Sequence, residues 1–366
     1  MAQFIMFSRP MRHGCRTHWA STRALLLTLA RRQKSDFSHL QTELPARVLP
    51  ILYDDLTSRA THNLNVSLAS FVPDSWLPKS TFEDSLPVTS PSLELPASHH
   101  LVYFNPALPP SKLLPDGTDP NQSPGVPFVR RMWAGGNVRW KAPLKVDGSR
   151  HACVEGIRNV TIKGQPGQEK VFVGIERRIG AIGKDMGDHE VRKKLWAETE
   201  DDFADADIIE RRNIVFMYER TEEELEKVKK RGAAMPADKM LKPQNQPTFT
   251  HTLTPTPTLL FRYSALTFNA HAIHLDPQYC REVEGHRNLL FHGPLSFTLL
   301  TLMVDNHVKS QGKTIASIDY RNLAPLYCSE PVKLCGRESG PDKFEVWVET
   351  PEGGIAVKGS ATVRTI

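Results

Sequence analysis

No apolar run in the chain approaches the roughly 18 residues that a membrane-spanning helix needs, the best being the seven residues 24–30. Cysteine is scarce and scattered: five in 366 residues, with no C-x-x-C pair. That argues against a zinc or disulfide framework and leaves reduced, mostly buried thiols as the expectation. Acidic residues are missing before Asp36, while Arg9, Arg12, Arg16, Arg23, Arg31, Arg32 and Lys34 crowd the same segment. An Arg-rich, acid-free stretch with Ser and Thr, amphipathic around 19–29, has the pattern of a mitochondrial transit peptide, a disordered basic tail being the alternative. Those seven cations exceed the net charge of +5, so the remainder is slightly acidic and gives no electrostatic case for nucleic acid. The Gly-rich stretch 164–170 lacks the Gly-Lys-Ser/Thr ending of a phosphate loop and reads as a hairpin turn.

What is present is 40% apolar and 24% charged, as in a soluble globular protein with length for two domains. Residues 36–125 are rich in Pro, Ser and Thr and read as long connections with a few helical turns, some of them disordered. Alternating β-branched patterns at 152–162, 170–179 and 208–218 read as strands, separated by a charged, helix-favouring insert at 184–207. Residues 220–230 read as a solvated helix and 234–247 as a linker. The Thr-rich stretch 248–260 reads as an edge or interrupted strand because of Pro255 and Pro257. Residues 295–304 are apolar on every side, which marks a buried helix. Strand patterns follow to the carboxyl end.

The densest chemistry lies at 261–297, where His271, His274, Asp276, His286 and His292 fall within 22 residues. Histidine exchanges protons near neutral pH, and a neighbouring carboxylate or amide can fix its tautomer. His292-Gly293-Pro294 leads into the buried helix: Pro suits a first turn, Gly admits a close ligand, and the free N–H groups favour negative charge. The spacing matches no zinc signature, so no metal is expected. His286, in a polar stretch, reads as structural. Trp133 and Trp140 read as core.

The stretch YSALTFNAHAIHLDP at 263–277, then FHGP at 291–294 and DYRNLAPL at 319–326, resembles the MaoC-like R-specific hydratases and dehydratases, in particular the fungal mitochondrial hydroxyacyl-thioester dehydratases of type 2. RRMWAG at 130–135 and ERRNIV at 210–215 resemble that family's amino-terminal half, so the resemblance covers residues 125–366. It implies an α+β double hot dog: two antiparallel sheets, each wrapped around a helix, with the site at their seam and a disordered basic amino terminus. The implied division is a transit peptide at 1–35, an extension with the start of the first unit at 36–125, a first unit at 126–220, a linker at 221–247 and a catalytic unit at 248–366. The first unit has lost clear catalytic residues and would house the acyl chain.

The family motif carries Asp and Asn where this sequence has Asn269 and His271. The resemblance therefore implies His274 as the proton-transfer residue, Asn269 orienting water or the leaving hydroxyl, His271 sharing the acid–base work, and the Gly293 N–H polarising the thioester carbonyl. His292 and Asp276 belong to the same group, and Tyr320 and Arg321 would contact the phosphopantetheine arm at the mouth. The implied activity is dehydration of (3R)-hydroxyacyl thioesters in mitochondrial fatty-acid synthesis, in the matrix, on acyl-carrier protein or CoA, with no cofactor and no stable membrane insertion. Monomer and homodimer both fit a double hot dog. The alternatives are a mesaconyl- or itaconyl-CoA-type hydratase, a non-catalytic acyl-thioester-binding protein and a thioesterase.

Overall fold

The computed structural model describes residues 36–230 and 240–366. The expected transit peptide and part of the expected linker lie outside the described residues. Among the described residues ten strands form: β1 (Leu52–Asp55), β2 (Arg130–Trp140), β3 (Arg150–Lys163), β4 (Lys170–Ala181), β5 (Ile208–Met217), β6 (Phe249–Leu253), β7 (Lys313–Asn322), β8 (Val332–Gly340), β9 (Lys343–Glu349) and β10 (Ile355–Thr365). The helices are α1 (Leu40–Glu43), α2 (Ser58–Leu68), α3 (Asp188–Leu195), α4 (Glu222–Lys230), α5 (Pro257–Leu266), α6 (Pro277–Glu282) and α7 (Gly293–Lys309).

All ten strands join in one antiparallel sheet, ordered β1-β3-β4-β5-β2-β7-β10-β9-β8-β6. Outward from the middle, the halves β2-β5-β4-β3-β1 and β7-β10-β9-β8-β6 have the same topology, the mark of two hot-dog units related by a pseudo-twofold. They meet along β2 and β7, paired from Gly135↔Arg321 to Arg139↔Ser317. This pairing closes two edges that would otherwise be exposed, so the expected two sheets are continuous. A bulge between Trp133 and Gly135 breaks the β2–β5 register at the seam. Gly135 sits there at φ +135°, and a Cβ would lie 2.2 Å from the Tyr320 carbonyl oxygen, so only glycine fits.

Helix α7 packs on β7 through β10 as the buried helix of the second unit. Its Leu295, Phe297, Leu299, Leu300, Met303 and Val304 are in the core, each contributing about 1.5–3 kcal/mol by leaving water. Thr298 and Thr301 satisfy their hydroxyls on carbonyls four residues back, at 3.0 and 2.8 Å, which makes an apolar environment tolerable.

The first unit differs from the expected plan. Among the described residues, no helix of comparable length lies between β1 and β2. Helix α2 packs on α5 of the other unit, and short 3-10 turns carry the chain from 74 to 112. The Pro/Ser-rich stretch is thus folded: Leu77, Leu95, Leu101, Val102, Tyr103 and Phe104 join the same core cluster as α7. Proline prevents a long helix but not burial of the apolar residues between the prolines. A second correction concerns 248–260. The strand stops at Leu253 and Pro257 opens a helix, the Thr256 hydroxyl accepting the Leu259 N–H at 3.2 Å as N-cap.

Candidate active site

A cavity of about 570 Å³ opens between the two units. The second unit contributes the turn after α5 and the start of α7, including Asn269, His271, His274 and Gly293. From the first unit come an apolar wall that includes Leu49, Leu52, Leu101, Leu108 and Leu113, and polar groups that include Gln122, Arg131, Glu155, Arg177 and Arg212.

His274 closes a 3-10 turn, Ala272–His274. Its Nδ1 lies 2.8 Å from the Leu290 carbonyl oxygen. A carbonyl only accepts, so Nδ1 carries the hydrogen and Nε2 keeps its lone pair. The tautomer is set by this backbone carbonyl rather than by Asp276 or an amide. The His292 ring stacks on His274 at 3.6 Å, and the His271 ring meets it edge-on at 5.7 Å. Burial pushes His274 down to about 4, outweighing the Leu290 carbonyl that favours its charged form. Burial also holds His271 well below the usual histidine range, reinforced by His274 and Arg131. His292 is depressed in the same way by burial and by its two histidine neighbours. The trio is neutral, and His274 offers a base at Nε2.

Gly293 is the first residue of α7 and Pro294 the second, one place later than a first-position proline. A Cβ on Gly293 would lie 2.7 Å from Asn322 Nδ2 and 3.5 Å from Trp133 Cβ. The backbone there can be approached closely only because the side chain is missing. The helix dipole and the unpaired amides of the first turn favour negative charge at that point.

The remaining predicted residues divide. Asn269 borders the cavity, and its Oδ1 accepts the His271 N–H at 3.0 Å, so it also shapes the turn. His292 is fully buried as the N-cap of α7, with Nε2 2.9 Å from Ser264 Oγ; it supports His274 rather than facing the cavity. Asp276 is outside the cavity wall: exposed, it caps α6 by accepting the Gln278 and Tyr279 N–H groups at 2.8 and 3.1 Å. The Asp-Pro start of that helix was the signal for a cap. Tyr320 is in the core rather than at the mouth, stacked on Phe297 at 5.0 Å, its hydroxyl accepting the Trp133 Nε1–H at 2.9 Å. Arg321 follows on the opposite face of β7, exposed and away from the cavity wall. Trp140 is core, whereas Trp133 is half-buried and borders the cavity beside the bulge. His286 hydrogen-bonds the Tyr327 hydroxyl through Nδ1 at 3.0 Å, in keeping with a structural role, although it also touches the cavity.

Sequence reasoning passed over Asp116 and Asn322. Asp116 Oδ2 lies 3.5 Å from His271 Nε2. Asn322 donates to the Trp133 carbonyl at 2.8 Å and has a buried Oδ1 without a partner at the cavity wall. Only Asn322 carried a signal, its place within 319–326. Among the described residues no cluster of His, Cys, Asp or Glu is set to hold a metal, and no helix is long and apolar enough to cross a membrane.

Several buried neutral histidines carry a pH consequence. His99 is pushed down to about 3, and His274 and His286 to about 4, in each case chiefly by burial. In the unfolded chain each titrates near the ordinary 6.5, so the unfolded state binds protons first as pH falls. Stability is full above about 6.5 and declines towards 4, by ~1–2 kcal/mol per such histidine at pH 5. Urea midpoints measured from pH 7.5 to 5 are expected to fall steadily; a flat profile contradicts neutral burial.

Residues 98–328 match the family model described as hydroxyacyl-thioester dehydratase type 2. The chain is 34% identical over 274 residues to a mesaconyl-C(4)-CoA hydratase of Chloroflexus aurantiacus, covering 74% of this chain and 83% of that protein. It is 27% identical over 290 residues to the mitochondrial hydroxyacyl-thioester dehydratase type 2 of Schizosaccharomyces pombe, covering 75% and 90%. A MaoC-like dehydratase structure from Phytophthora capsici superposes with a TM-score of 0.57 at 13% identity, covering 89% of this chain and 99% of that one, which supports the fold alone.

Proposed function

The chain belongs to the hydroxyacyl-thioester dehydratase type 2 family of hydro-lyases, and from that premise we propose that it interconverts (3R)-hydroxyacyl and trans-2-enoyl thioesters in mitochondrial fatty-acid synthesis. The observation that carries this reading is His274: a neutral imidazole with a free Nε2, in a wall shared with the first turn of α7. In dehydration, Nε2 takes the α-proton. The charge that moves onto the thioester oxygen is met by the Gly293 N–H and the helix dipole. The C–O bond then breaks, and the hydroxyl, oriented by Asn269, leaves with the proton as water; His271 shares the acid–base work. These steps need no cofactor.

The acyl group would lie along the apolar wall of the first unit, carried on acyl-carrier protein or CoA. The yeast relative's mitochondrial designation and the basic segment before Asp36 support a matrix location. Both units of the site come from one chain, which supports a functional monomer.

A second reading, hydration of a short dicarboxylic CoA ester such as mesaconyl- or itaconyl-CoA, is favoured by Arg131, Arg177 and Arg212 in the wall. Against it, three carboxylates already face the three cations: Arg131 pairs with Asp119 at 3.4 Å, Arg177 with Glu155 at 3.1 Å and Glu210 at 2.8 Å, and Arg212 with Glu210 at 2.6 Å. An added carboxylate would meet balanced charge, so an uncharged acyl group is the first choice. One assay separates the readings. Purified protein with crotonyl-CoA is expected to lose enoyl absorbance without releasing thiol. Faster turnover of mesaconyl- or itaconyl-CoA than of crotonyl-CoA selects the second reading. Thiol release indicates a thioesterase, and silence across all esters a binding role.

A further inference from the structure

The second unit's motif has no carboxylate at Asn269, yet a carboxylate reaches the site from the other unit. Asp116 lies on the turn that leads into the first unit's sheet, 6% exposed, with Oδ2 3.5 Å from His271 Nε2. The turn is docked on the histidine segment by two further contacts. The Ala272 N–H donates to the Asp116 carbonyl at 2.8 Å. Gly117, at φ +84°, has no room for a side chain, since a Cβ would lie 2.0 Å from the Ala270 carbonyl oxygen. The other carboxylate oxygen, Oδ1, is held by the Thr118 N–H at 3.0 Å and the Thr118 hydroxyl at 2.5 Å. Oδ2 is thereby aimed at the imidazole by a rigid turn.

We propose that Asp116 is a positioning residue for the reaction: the first unit supplies, across the seam, the carboxylate that orients His271. The inference rests on His271 sharing the acid–base work. A carboxylate accepts only, so its place beside Nε2 favours the hydrogen on that nitrogen and leaves Nδ1 as the basic one. In hydration, Nδ1 accepts a proton from the attacking water, and the resulting imidazolium is stabilised by Asp116 across the ring. That proton passes to His274 Nε2 and from it to the α-carbon, so both histidines begin and end neutral. The charged and titratable groups around His271 are Asp116, His274, His292 and Arg131. Only Asp116 favours the imidazolium.

The test is Asp116→Asn in the full chain, assayed by crotonyl-CoA hydration. An asparagine keeps an oxygen for Thr118 but turns an N–H towards His271 Nε2, which forces the opposite tautomer. kcat is expected to fall about 10²-fold with KM within twofold, and the acid limb of the kcat–pH profile to move to lower pH. The double variant Asp116→Asn/His271→Ala is expected to be no slower than His271→Ala alone, because one acts through the other. Impaired His271→Ala with unimpaired Asp116→Asn overturns this inference alone. Multiplying losses overturn it too, since Asp116 would then act independently. Wild-type turnover by His271→Ala overturns the reading of His271 and the inference with it.

Discussion

Replacing His274 by alanine is expected to lower kcat for crotonyl-CoA hydration by about 10³-fold, within the span of general acid–base catalysis. The size follows from its position. The tautomer of His274 is locked by a backbone carbonyl, so its Nε2 lone pair is available without rearrangement. The ring is packed between His271 and His292, which leaves it few orientations. Alanine also leaves the Leu290 carbonyl without that donor and removes the His292 stacking partner, a cost of ~1–3 kcal/mol in stability. Thermal unfolding alongside the kinetics separates the two effects: a folded, inactive protein supports the assignment, and a folded protein with near wild-type turnover removes it.

Gly293→Ala is expected to cost about 10²–10³-fold in kcat/KM, the span seen when an oxyanion donor is lost. The N–H itself remains. What changes is access, because the new methyl would stand 2.7 Å from Asn322 Nδ2 and occupy the approach to the amide. Alanine is a better helix former than glycine, so α7 should not be weakened by the exchange. Combining Gly293→Ala with Asn322→Ala relieves the clash but not the blocked approach, so activity should stay low. Recovery in the double variant would show that the clash, rather than access to the N–H, accounts for the loss.

Much of the second unit was legible. The all-round apolar pattern at 295–304 became α7, and the His-Gly-Pro triplet before it became a helix start facing the cavity. His274, His271 and Asn269 come together in one wall because they sit on one short turn, where sequence neighbours stay spatial neighbours. Asp276 and Tyr320 were misjudged for a shared reason. Polar or aromatic type near a motif says nothing of direction: a helix cap turned Asp276 outward, and strand alternation sent Tyr320 into the core and Arg321 to the opposite face. The first unit was read least well. Its prolines mask buried anchors such as Leu101 and Phe104, and its inward Glu155–Arg177–Glu210 row exists only because β3, β4 and β5 pair in that register.

Local spacing carries the ingredients of the candidate site, namely the histidines and the glycine at a helix start, together with the motifs of the family to which the chain belongs. Such spacing survives whatever the rest of the chain does. Long-range packing fixes which ring nitrogen of His274 is free, sets His292 behind it, and brings Asp116 to His271 from 155 positions away. Those relations depend on loops closing across the β2–β7 seam, and contacts between distant segments leave no periodic trace in a single sequence.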